Sequence, residues 1–411
     1  MTAPRIEELR FLSPQEVRSI AERFGTPVYV YDEESMARAE RAMSSLPSAF
    51  GLTVRYLLTA CPSQAIIRVF DKLGTSFDAG SVWEALRAVR AGVDPARILL
   101  TAPDAVVDDK LRELVEAGLQ FDADTIVTLE QFGSAFPGRQ VSVRLDPGAG
   151  RGLPNRLTST HLSSGIRHEE LPEVVRVLKV YDLKLVRVHA HVGSGRHGNS
   201  LLQAARLLLG TARRFPGVRA ICLGGGHRVT SLLDDPGQVG WASLLADEMR
   251  AFAAETGREL ELELEPGTAL MANSTSIITR VLDLLPGAAG SHPLIRIEGG
   301  VAEILRPSYY GAIHPLVSVA ADGRPRGDTG SYFVEGAPHG DEPVPLARTE
   351  PGDFIVVERK GGYASGMTLK NFSSFPEAPE VLRRRDGSVV AIRVRQTLDH
   401  LVANERIPVE I

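Results

Sequence analysis

The sequence predicts an α/β fold that begins with a (β/α)8 TIM barrel. A C-terminal β domain, either a β-sandwich or a β-barrel, follows the barrel and includes the N-terminal strand. Two patterns in the 411 residues lead to this prediction. Short runs rich in Val, Ile and Leu alternate with longer segments whose apolar residues recur every three or four positions, as in amphipathic helices. After about residue 275 the helical periodicity fades, and strand-like runs separated by turns replace it.

The first two thirds of the chain contain eight runs with the length and composition of buried strands. These runs are residues 53–58, 76–80, 98–102, 120–124, 141–146, 185–192, 220–226 and 260–267. Helical patterns such as residues 81–92 and 200–215 lie between them. A doubly wound open sheet would show the same alternation. The count of eight strand–helix units favours the closed barrel.

Strand-like runs dominate the last third of the chain. They are residues 294–299, 313–320, 331–336, 353–359 and 389–396. The early run 28–32 precedes the first barrel helix, and we expect it to pair with these later strands. The predicted organisation is an N-terminal segment over residues 1–35 that joins the β domain, a barrel over residues 36–275, and a C-terminal β domain over residues 276–411.

Composition excludes several classes of partner. The formal net charge is −5, whereas a surface for nucleic acid or anionic membrane needs an excess of basic residues. The two cysteines, Cys61 and Cys222, are too few for a disulfide framework or a zinc motif. The N-terminal residues show no signal-peptide pattern, and no apolar run reaches about 18 residues. We therefore expect a cytoplasmic protein that acts on a small molecule, without nucleic acid, membrane or metal.

Glycine and polar residues concentrate where the predicted barrel strands end, which is where (β/α)8 barrels build their active sites. Thr59 and Asp78 end two of these strands. Gly224, Gly225 and Gly226 follow another, and glycines allow backbone N–H groups to approach a phosphate closely. Glycine runs are also common in ordinary turns, so this motif needs support from its neighbours.

Two further strand ends carry groups suited to a cofactor. His189 and His191 lie on the same side of their strand, either as core histidines or with His191 lining a pocket beside Ser194. No third ligand at a diagnostic spacing supports a metal site there. Glu265 ends the last barrel strand, where a carboxylate either caps a helix or holds a protonated pyridine nitrogen.

The order and spacing of these motifs resemble those of the fold type III, alanine-racemase-like pyridoxal-phosphate decarboxylases, which include diaminopimelate, ornithine and arginine decarboxylases. The resemblance spans nearly the whole chain, and its motifs are residues 25–33, 74–93, 191–195 (HVGSG), 223–226 (LGGG), 265–267 (EPG), 306–315 and 361–363. It implies a barrel plus a β domain, an amino-acid substrate, pyridoxal 5′-phosphate as the cofactor, and a homodimer with an active site shared between its subunits.

The resemblance also implies roles for the matching residues. His191 is expected to stack on the pyridoxal ring, Glu265 to pair with the pyridine nitrogen, and Asp78 to lie near the Schiff-base position. The expected phosphate-binding residues are Ser194, Gly224, Gly225, Gly226 and Tyr363. Gly267 and Thr268 follow Glu265 and complete the expected cofactor-binding set.

The chain departs from the family at three positions. The family's first barrel strand ends with the lysine that forms the internal aldimine, and this chain has Thr59 there, whose hydroxyl cannot form an imine. The arginine that follows the Glu-Pro-Gly motif is Thr268 here. The cysteine of the partner-subunit site is replaced by His339, which is itself a competent proton donor. Lys360 precedes residues 361–363 and could restore a positive charge near the phosphate, or a relocated Schiff base.

Three interpretations remain open. In the first, the chain is an atypical decarboxylase of specialised biosynthesis that works without a lysine internal aldimine, with pyridoxal phosphate bound non-covalently or absent. Thr59 at the lysine position, His191, His339 and Cys61 are then the candidate catalytic residues. In the second, it is a non-catalytic binding subunit that keeps the fold. In the third, it is a conventional decarboxylase whose lysine has been replaced, and the simultaneous changes at Thr268 and His339 argue against this.

Overall fold

The computed structural model describes residues 6–102, 106–147, 165–192, 198–225, 240–288, 290–300, 303–335, 342–359 and 361–408. The chain divides into two compact units. One unit is Ala37–Leu270, and the other joins Met1–Met36 to Met271–Ile411. None of the helices in the described ranges has both the length and the apolar character that a membrane span requires.

The first unit is a closed barrel of parallel strands. Strand β1 (Val28–Asp32) belongs to the other unit, and the barrel strands β2 to β9 are Leu52–Leu57, Ser76–Ala79, Ile98–Leu100, Gln120–Ala123, Gln140–Leu145, Lys184–Ala190, Ala220–Cys222 and Glu261–Leu264. Each strand pairs in parallel with the next one along the chain, and β9 pairs with β2 to close the barrel. The predicted barrel is therefore confirmed, and the alternative of an open, doubly wound sheet is wrong.

Amphipathic helices alternate with the strands. In chain order, the helices α1 to α12 are Pro14–Phe24, Glu33–Ser44, Gln64–Lys72, Val82–Arg90, Asp109–Glu116, Ile126–Ala135, Leu171–Val180, Gly198–Arg214, Gly240–Thr256, Thr268–Met271, Leu305–Tyr310 and Leu398–Leu401. Helix α3 shows why they form, because Ile66, Ile67 and Phe70 recur at helical spacing and are all buried. Helix α4 begins with Ser81, whose hydroxyl accepts the N–H of Glu84 and so fixes the first turn next to the end of β3.

A layer of buried charges lies inside the barrel. Arg55 of β2 and Arg187 of β7 both bind the carboxylate of Glu263 of β9, with N–O distances of 2.8 and 2.7 Å. The side chain of Gln120 on β5 accepts a hydrogen bond from each arginine, so the layer connects four strands. Burial alone would raise the pKa of Glu263, but the charges and hydrogen bonds of the two arginines outweigh it and lower this pKa to about 2.

The second unit is built on a mixed sheet. Its remaining strands, β10 to β17, are Thr275–Leu285, Leu294–Ile297, Leu316–Val319, Thr329–Val334, Val344–Ala347, Phe354–Val357, Glu380–Arg383 and Val389–Arg393. Strand β1 lies between β10, to which it is antiparallel, and β16, to which it is parallel. Its core includes Val28, Val30, Ile278, Val356 and Val381, all fully buried. The predicted separate β domain, with the N-terminal strand as part of it, is therefore confirmed.

Candidate active site

A second buried polar layer lies toward the C-terminal ends of the barrel strands. The Thr101 hydroxyl lies 2.9 Å from Asp78 of β3 and 3.4 Å from Asp122 of β5. Oδ2 of Asp122 lies 2.8 Å from Nδ1 of His189, and Nε2 of His189 lies 3.3 Å from Oε2 of Glu265. All five side chains are buried. A continuous polar path therefore crosses the barrel from β3 to the end of β9.

Asp78 lies inside this layer, close to two other carboxylates. Burial raises the pKa of Asp78 well above its usual value, and the charges of Glu265 and Asp122 raise it further, against the opposing hydrogen bond from Thr101. The environment therefore favours a neutral, protonated Asp78. The sequence prediction that Asp78 lies at a barrel strand end agrees with this placement, and its role near a Schiff base stays a prediction.

Glu265 is held by two partners that are distant in the sequence. The thiol of Cys222 donates to Oε1 of Glu265 at 3.0 Å, and burial raises the pKa of this thiol well above its usual value. Cys222 therefore stays a neutral donor to the carboxylate. The main-chain N–H of Glu265 donates to the carbonyl oxygen of Gly224 at 2.8 Å. Together these bonds fix the carboxylate at the end of β9, next to the glycine run.

The described part of the glycine run approaches His191 and Glu265 closely. The N–H of Gly225 donates to Nδ1 of His191 at 3.1 Å, which orients the imidazole. A Cβ atom on Gly224 would lie 2.7 Å from Nδ1 of His191, and one on Gly225 would lie 2.8 Å from the carbonyl oxygen of Glu265. Side chains are excluded at both positions, so backbone alone lines this side of the site.

Thr59 lies in the 3-10 turn that follows β2, and its correspondence to the family's lysine stays a prediction. Its hydroxyl donates to Oε2 of Glu84 at 3.0 Å, and the N–H of Gly80 donates to the same oxygen at 2.8 Å. Burial raises the pKa of Glu84, against the hydrogen bonds from Gly80 and Thr59. A Cβ atom on Gly80 would lie 2.8 Å from the Thr59 hydroxyl, so the ends of β2 and β3 meet here.

Glu84 is a site residue that sequence reasoning missed. A signal for it exists in the pattern Ser81-Val82-Trp83-Glu84, which resembles the capping pattern of a helix that begins directly after a strand end. Such a glutamate necessarily lies in the first helical turn beside the strand's carboxyl end. Asp122 and Thr101 were also missed, because their contacts join strands that are far apart in the chain.

The other predicted residues near the end of β2 have different surroundings. Cys61 is buried, and its carbonyl oxygen accepts the Tyr56 hydroxyl at 3.0 Å. A Cβ atom on Gly267 would lie 3.0 Å from Cβ of Ala60, which brings the segment after β9 against the turn that holds Thr59. Thr268 begins α10 and is half-buried. A catalytic role for Cys61 stays a prediction.

Tyr363 belongs to the sheet unit, where its backbone is left-handed with φ 57° and the Arg306 guanidinium lies 5.9 Å from the centre of its ring. Its predicted contact with the phosphate stays a prediction. Ser194, Gly226, His339 and Lys360 lie outside the described residues. Their predicted roles in binding the phosphate, transferring protons or replacing the lysine also stay predictions.

His189, His191 and Glu265 place side-chain donor atoms within 4.8 Å of one another, an arrangement that a metal ion could use. Protein groups already bind several of these atoms. Nδ1 of His189 is next to Asp122, Nδ1 of His191 accepts from Gly225, and Glu265 accepts from Cys222. One nitrogen of each imidazole and one oxygen of the carboxylate are thus already engaged, and we assign no metal to the cluster.

Known proteins share this architecture and these motifs. Residues 34–272 match the family model described as "Pyridoxal-dependent decarboxylase, pyridoxal binding domain". Diaminopimelate decarboxylase of Streptomyces coelicolor A3(2) is 32% identical over 94% of this chain and 91% of its own length. The enzyme of that name from Escherichia coli K12 is 29% identical over 96% of this chain and 97% of its own length. A crystal structure of a diaminopimelate decarboxylase, 28% identical, matches with a TM-score of 0.83 over 95% of this chain and 96% of that chain. The chain therefore belongs to the pyridoxal-dependent decarboxylase family.

Proposed function

We propose that this protein is an atypical carboxy-lyase that binds pyridoxal phosphate without a covalent bond to lysine and acts on an amino acid or amino-acid derivative in specialised biosynthesis. The hydrogen bond between Thr59 and Glu84 at the end of β2 carries the proposal. The bond holds a hydroxyl at the position where the resemblance predicts an amine, and the residues around Glu265 and His191 support a site for the cofactor ring. We further propose that it works in the cytoplasm as a homodimer.

The barrel residues fit the ring of pyridoxal phosphate. Gly224 and Gly225 pack their backbone directly against His191 and Glu265, the two groups that we propose contact the ring. Cys222 holds Glu265 in place, and this carboxylate suits a protonated pyridine nitrogen. Thr59 does not fit a covalent link, because its hydroxyl is neutral at physiological pH and forms no imine. The proposed mode of binding is therefore non-covalent.

Pyridoxal phosphate, when bound, supplies the electron sink that allows an α-carboxylate to leave as CO2. The residues of this chain supply binding and orientation. Glu265 would accept the hydrogen bond from the ring nitrogen, and the backbone of Gly225 fixes the imidazole of His191. Behind Glu265, the buried pair of Asp122 and His189 limits its movement.

Thr59 and Glu84 would serve the amino group of the substrate. The hydroxyl donates to a carboxylate whose pKa burial raises, so Glu84 is better matched to accept or return a proton near neutral pH than an exposed glutamate. The site thus offers a substrate amine a hydrogen-bonding pair. We assign Glu84 as the group that accepts a proton from this amine.

The names of the similar proteins suggest which substrates to test first. They are named diaminopimelate decarboxylases, and each covers nearly the whole chain. We therefore propose an α-amino acid whose side chain ends in a polar group, and diaminopimelate is the first compound to test. Residues 336–341, which include His339, lie outside the described residues and would contribute to this selection.

The experiment combines spectroscopy with product analysis. Purified protein is mixed with pyridoxal phosphate, dialysed, and its visible absorbance is recorded before and after each of the common amino acids and diaminopimelate is added. Release of CO2 and the amine product are measured in the same samples. Thr59→Val, which removes the hydroxyl but keeps the shape, is the matched control.

The proposal predicts retained cofactor, a spectral change that appears only with the right amino acid, and CO2 release that Thr59→Val reduces. Retained cofactor without a spectral change or CO2 from any compound would instead identify a binding subunit. Failure to retain pyridoxal phosphate would overturn the proposed cofactor chemistry altogether.

A further inference from the structure

A cavity of about 300 Å³ opens at the N-terminal ends of four neighbouring barrel strands, β5 to β8. The candidate active site lies at the other end of these strands, where they finish. The polar residues that line the cavity are Gln120, Arg139, Gln140, Ser142, Arg187 and Arg219. Three of these six are arginines, and no carboxylate is among the lining residues.

Two exposed arginines, Arg139 and Arg219, form the rim of the cavity. Among the described residues, neither of them forms an ion pair. The guanidinium of Arg219 donates a hydrogen bond to the amide oxygen of Gln140 at 2.8 Å. The amide nitrogen of Gln140 then points away from Arg219 and remains a further hydrogen-bond donor. Within the described part of the chain, the rim therefore carries hydrogen-bond donors and positive charge without a neighbouring carboxylate.

Acidic side chains near the rim do not compensate its charge. Glu261, whose main-chain N–H bonds to the carbonyl of Arg219, directs its carboxylate to Thr53 instead. Two arginines on the outer helices do have an acidic partner, Arg206 with Glu248 and Arg213 with Glu255, each at 2.6 Å. Among the described residues, the rim arginines lack such a partner.

The floor of the cavity adds positive charge from inside the barrel. Arg187 lines the floor, and it shares the single carboxylate of Glu263 with Arg55. The interior below the cavity thus has two guanidinium groups for one carboxylate. Three arginines line the cavity, and a fourth, Arg55, lies next to Glu263 in the interior, in a protein whose formal net charge is −5. A local field of this sign attracts anions.

One wall of the cavity is apolar. It is formed by Val115, Leu119, Phe121, Phe132, Val141 and Val186. The rings of Phe121 and Phe132 stack with their centres 4.5 Å apart, which makes this wall rigid. An inorganic ion would leave this wall uncovered, whereas a short hydrocarbon would bury it.

We propose that the cavity binds a small organic oxyanion, with its carboxylate or phosphate group against Arg139 and Arg219 and a short apolar body against the wall of Phe121 and Phe132. Guanidinium groups bind both carboxylates and phosphates, so the arginines of the rim can bind either group. The cavity lies at the opposite end of the barrel from Thr59 and Glu265. Its occupancy therefore does not depend on the proposed cofactor chemistry.

The test uses calorimetric titration of the full-length protein with hexanoate, with hexyl phosphate and with inorganic phosphate. Hexylamine, which has the same apolar body and the opposite charge, is the control ligand. The double variant Arg139→Gln/Arg219→Gln removes both rim charges. The control variant Arg213→Gln makes the same change at an exposed arginine that has an acidic partner. Circular dichroism and the melting temperature confirm that each variant folds.

We expect saturable binding of hexanoate or hexyl phosphate, weaker binding of inorganic phosphate, and none of hexylamine. The double variant should weaken binding by at least roughly tenfold, since two charge-assisted contacts are lost, and Arg213→Gln should leave it unchanged. The stronger of the two organic ligands identifies the oxyanion. Absence of saturable binding, or equal affinity in the double variant, would overturn the proposal. Retention of pyridoxal phosphate should be the same in all three proteins, which separates this test from that of the cofactor site.

Discussion

The hydroxyl of Thr59 lies 3.0 Å from Oε2 of Glu84, the oxygen that also accepts the N–H of Gly80 at 2.8 Å. The end of β2 thus meets the end of β3 through a neutral donor and a carboxylate whose pKa burial raises. A lysine at residue 59 would place a cation beside this carboxylate instead. The Thr59 hydroxyl and Glu84 thus form a hydrogen-bonded pair in which a neutral side chain serves as the donor.

Thr59→Lys should restore a covalent bond to pyridoxal phosphate, because the new ammonium lies beside Glu84, which can take up its proton. The expected result is a visible chromophore in the resting protein that borohydride reduction fixes to residue 59. Peptide mass spectrometry measures this directly. Thr59→Arg, a cation of similar length that forms no imine, is the matched control and should bind the cofactor only reversibly. If Thr59→Lys binds the cofactor without any adduct, residue 59 does not face the reactive carbon.

Glu265→Gln should weaken the binding of pyridoxal phosphate by roughly tenfold or more, because a charge-assisted hydrogen bond to the ring nitrogen contributes about 1.5–3 kcal/mol. Fluorescence titration of the cofactor gives the dissociation constants. Glu261→Gln is the control, since this glutamate lies at the other end of the same strand and binds Thr53. Equal affinities for the two variants would show that Glu265 does not touch the cofactor.

Asp122→Asn should also weaken cofactor binding, although Asp122 is remote from the surface. Its carboxylate lies 2.8 Å from Nδ1 of His189, and the other nitrogen of that ring lies next to Glu265. Without the carboxylate the ring loses its fixed orientation, and we expect a loss of several-fold in affinity. Asp124→Asn is the control. It changes a buried carboxylate on the same segment whose hydrogen-bond donor is the hydroxyl of Thr128, and the loss of affinity should be smaller. If both variants lost the same affinity for the cofactor, Asp122 would have only a general structural role.

Glu263 should make the stability of the barrel depend on acid pH. Its pKa in the folded protein, about 2, lies below the ordinary value of 4.5. The stability from this group is therefore fully present above about pH 4.5 and is lost as the pH falls toward 2, by on the order of 3 kcal/mol. Glu263→Gln should destabilise the protein at pH 7 by about 3–5 kcal/mol, because two buried arginines lose their carboxylate.

Urea unfolding at several pH values between 7 and 3 tests this account of Glu263. The difference between the wild type and Glu263→Gln should be largest at pH 7 and should narrow as the pH falls. Glu261→Gln, with a glutamate from the same strand that pairs with Thr53 and not with arginine, should follow the wild type. A difference for Glu263→Gln that stays constant down to pH 3 would contradict the role of the ion pairs.

The sequence predicted the barrel well because each strand is short, apolar and followed by an amphipathic helix. The order of strands and helices can therefore be predicted from local patterns. It did not single out β10, the longest strand of the sheet unit. The reason is visible in its residues: Ile277, Ile278, Val281 and Leu282 recur at the spacing of a helix face, and only pairing with β1, β11 and β15 makes the segment extended.

The sequence predicted those site residues that belong to short local motifs at strand ends. Gly224, Gly225 and Glu265 stand in recognisable strand-end patterns, and the structure brings them together. Asp122 was missed because it acts through a contact across the barrel, and Asp122 and His189 are 67 positions apart in the chain. Such pairs follow from the register of the closed barrel, which local sequence patterns do not specify.

The most direct measurement of the central claim is the intact mass of the natural protein after incubation with pyridoxal phosphate and reduction with borohydride. We predict that the cofactor is retained before reduction but that the reduced, denatured protein has the mass of the bare chain, because residue 59 offers a hydroxyl. A stoichiometric pyridoxyl adduct, mapped to Lys360 or to any other lysine, would contradict the account. It would show that this protein binds the cofactor through a lysine.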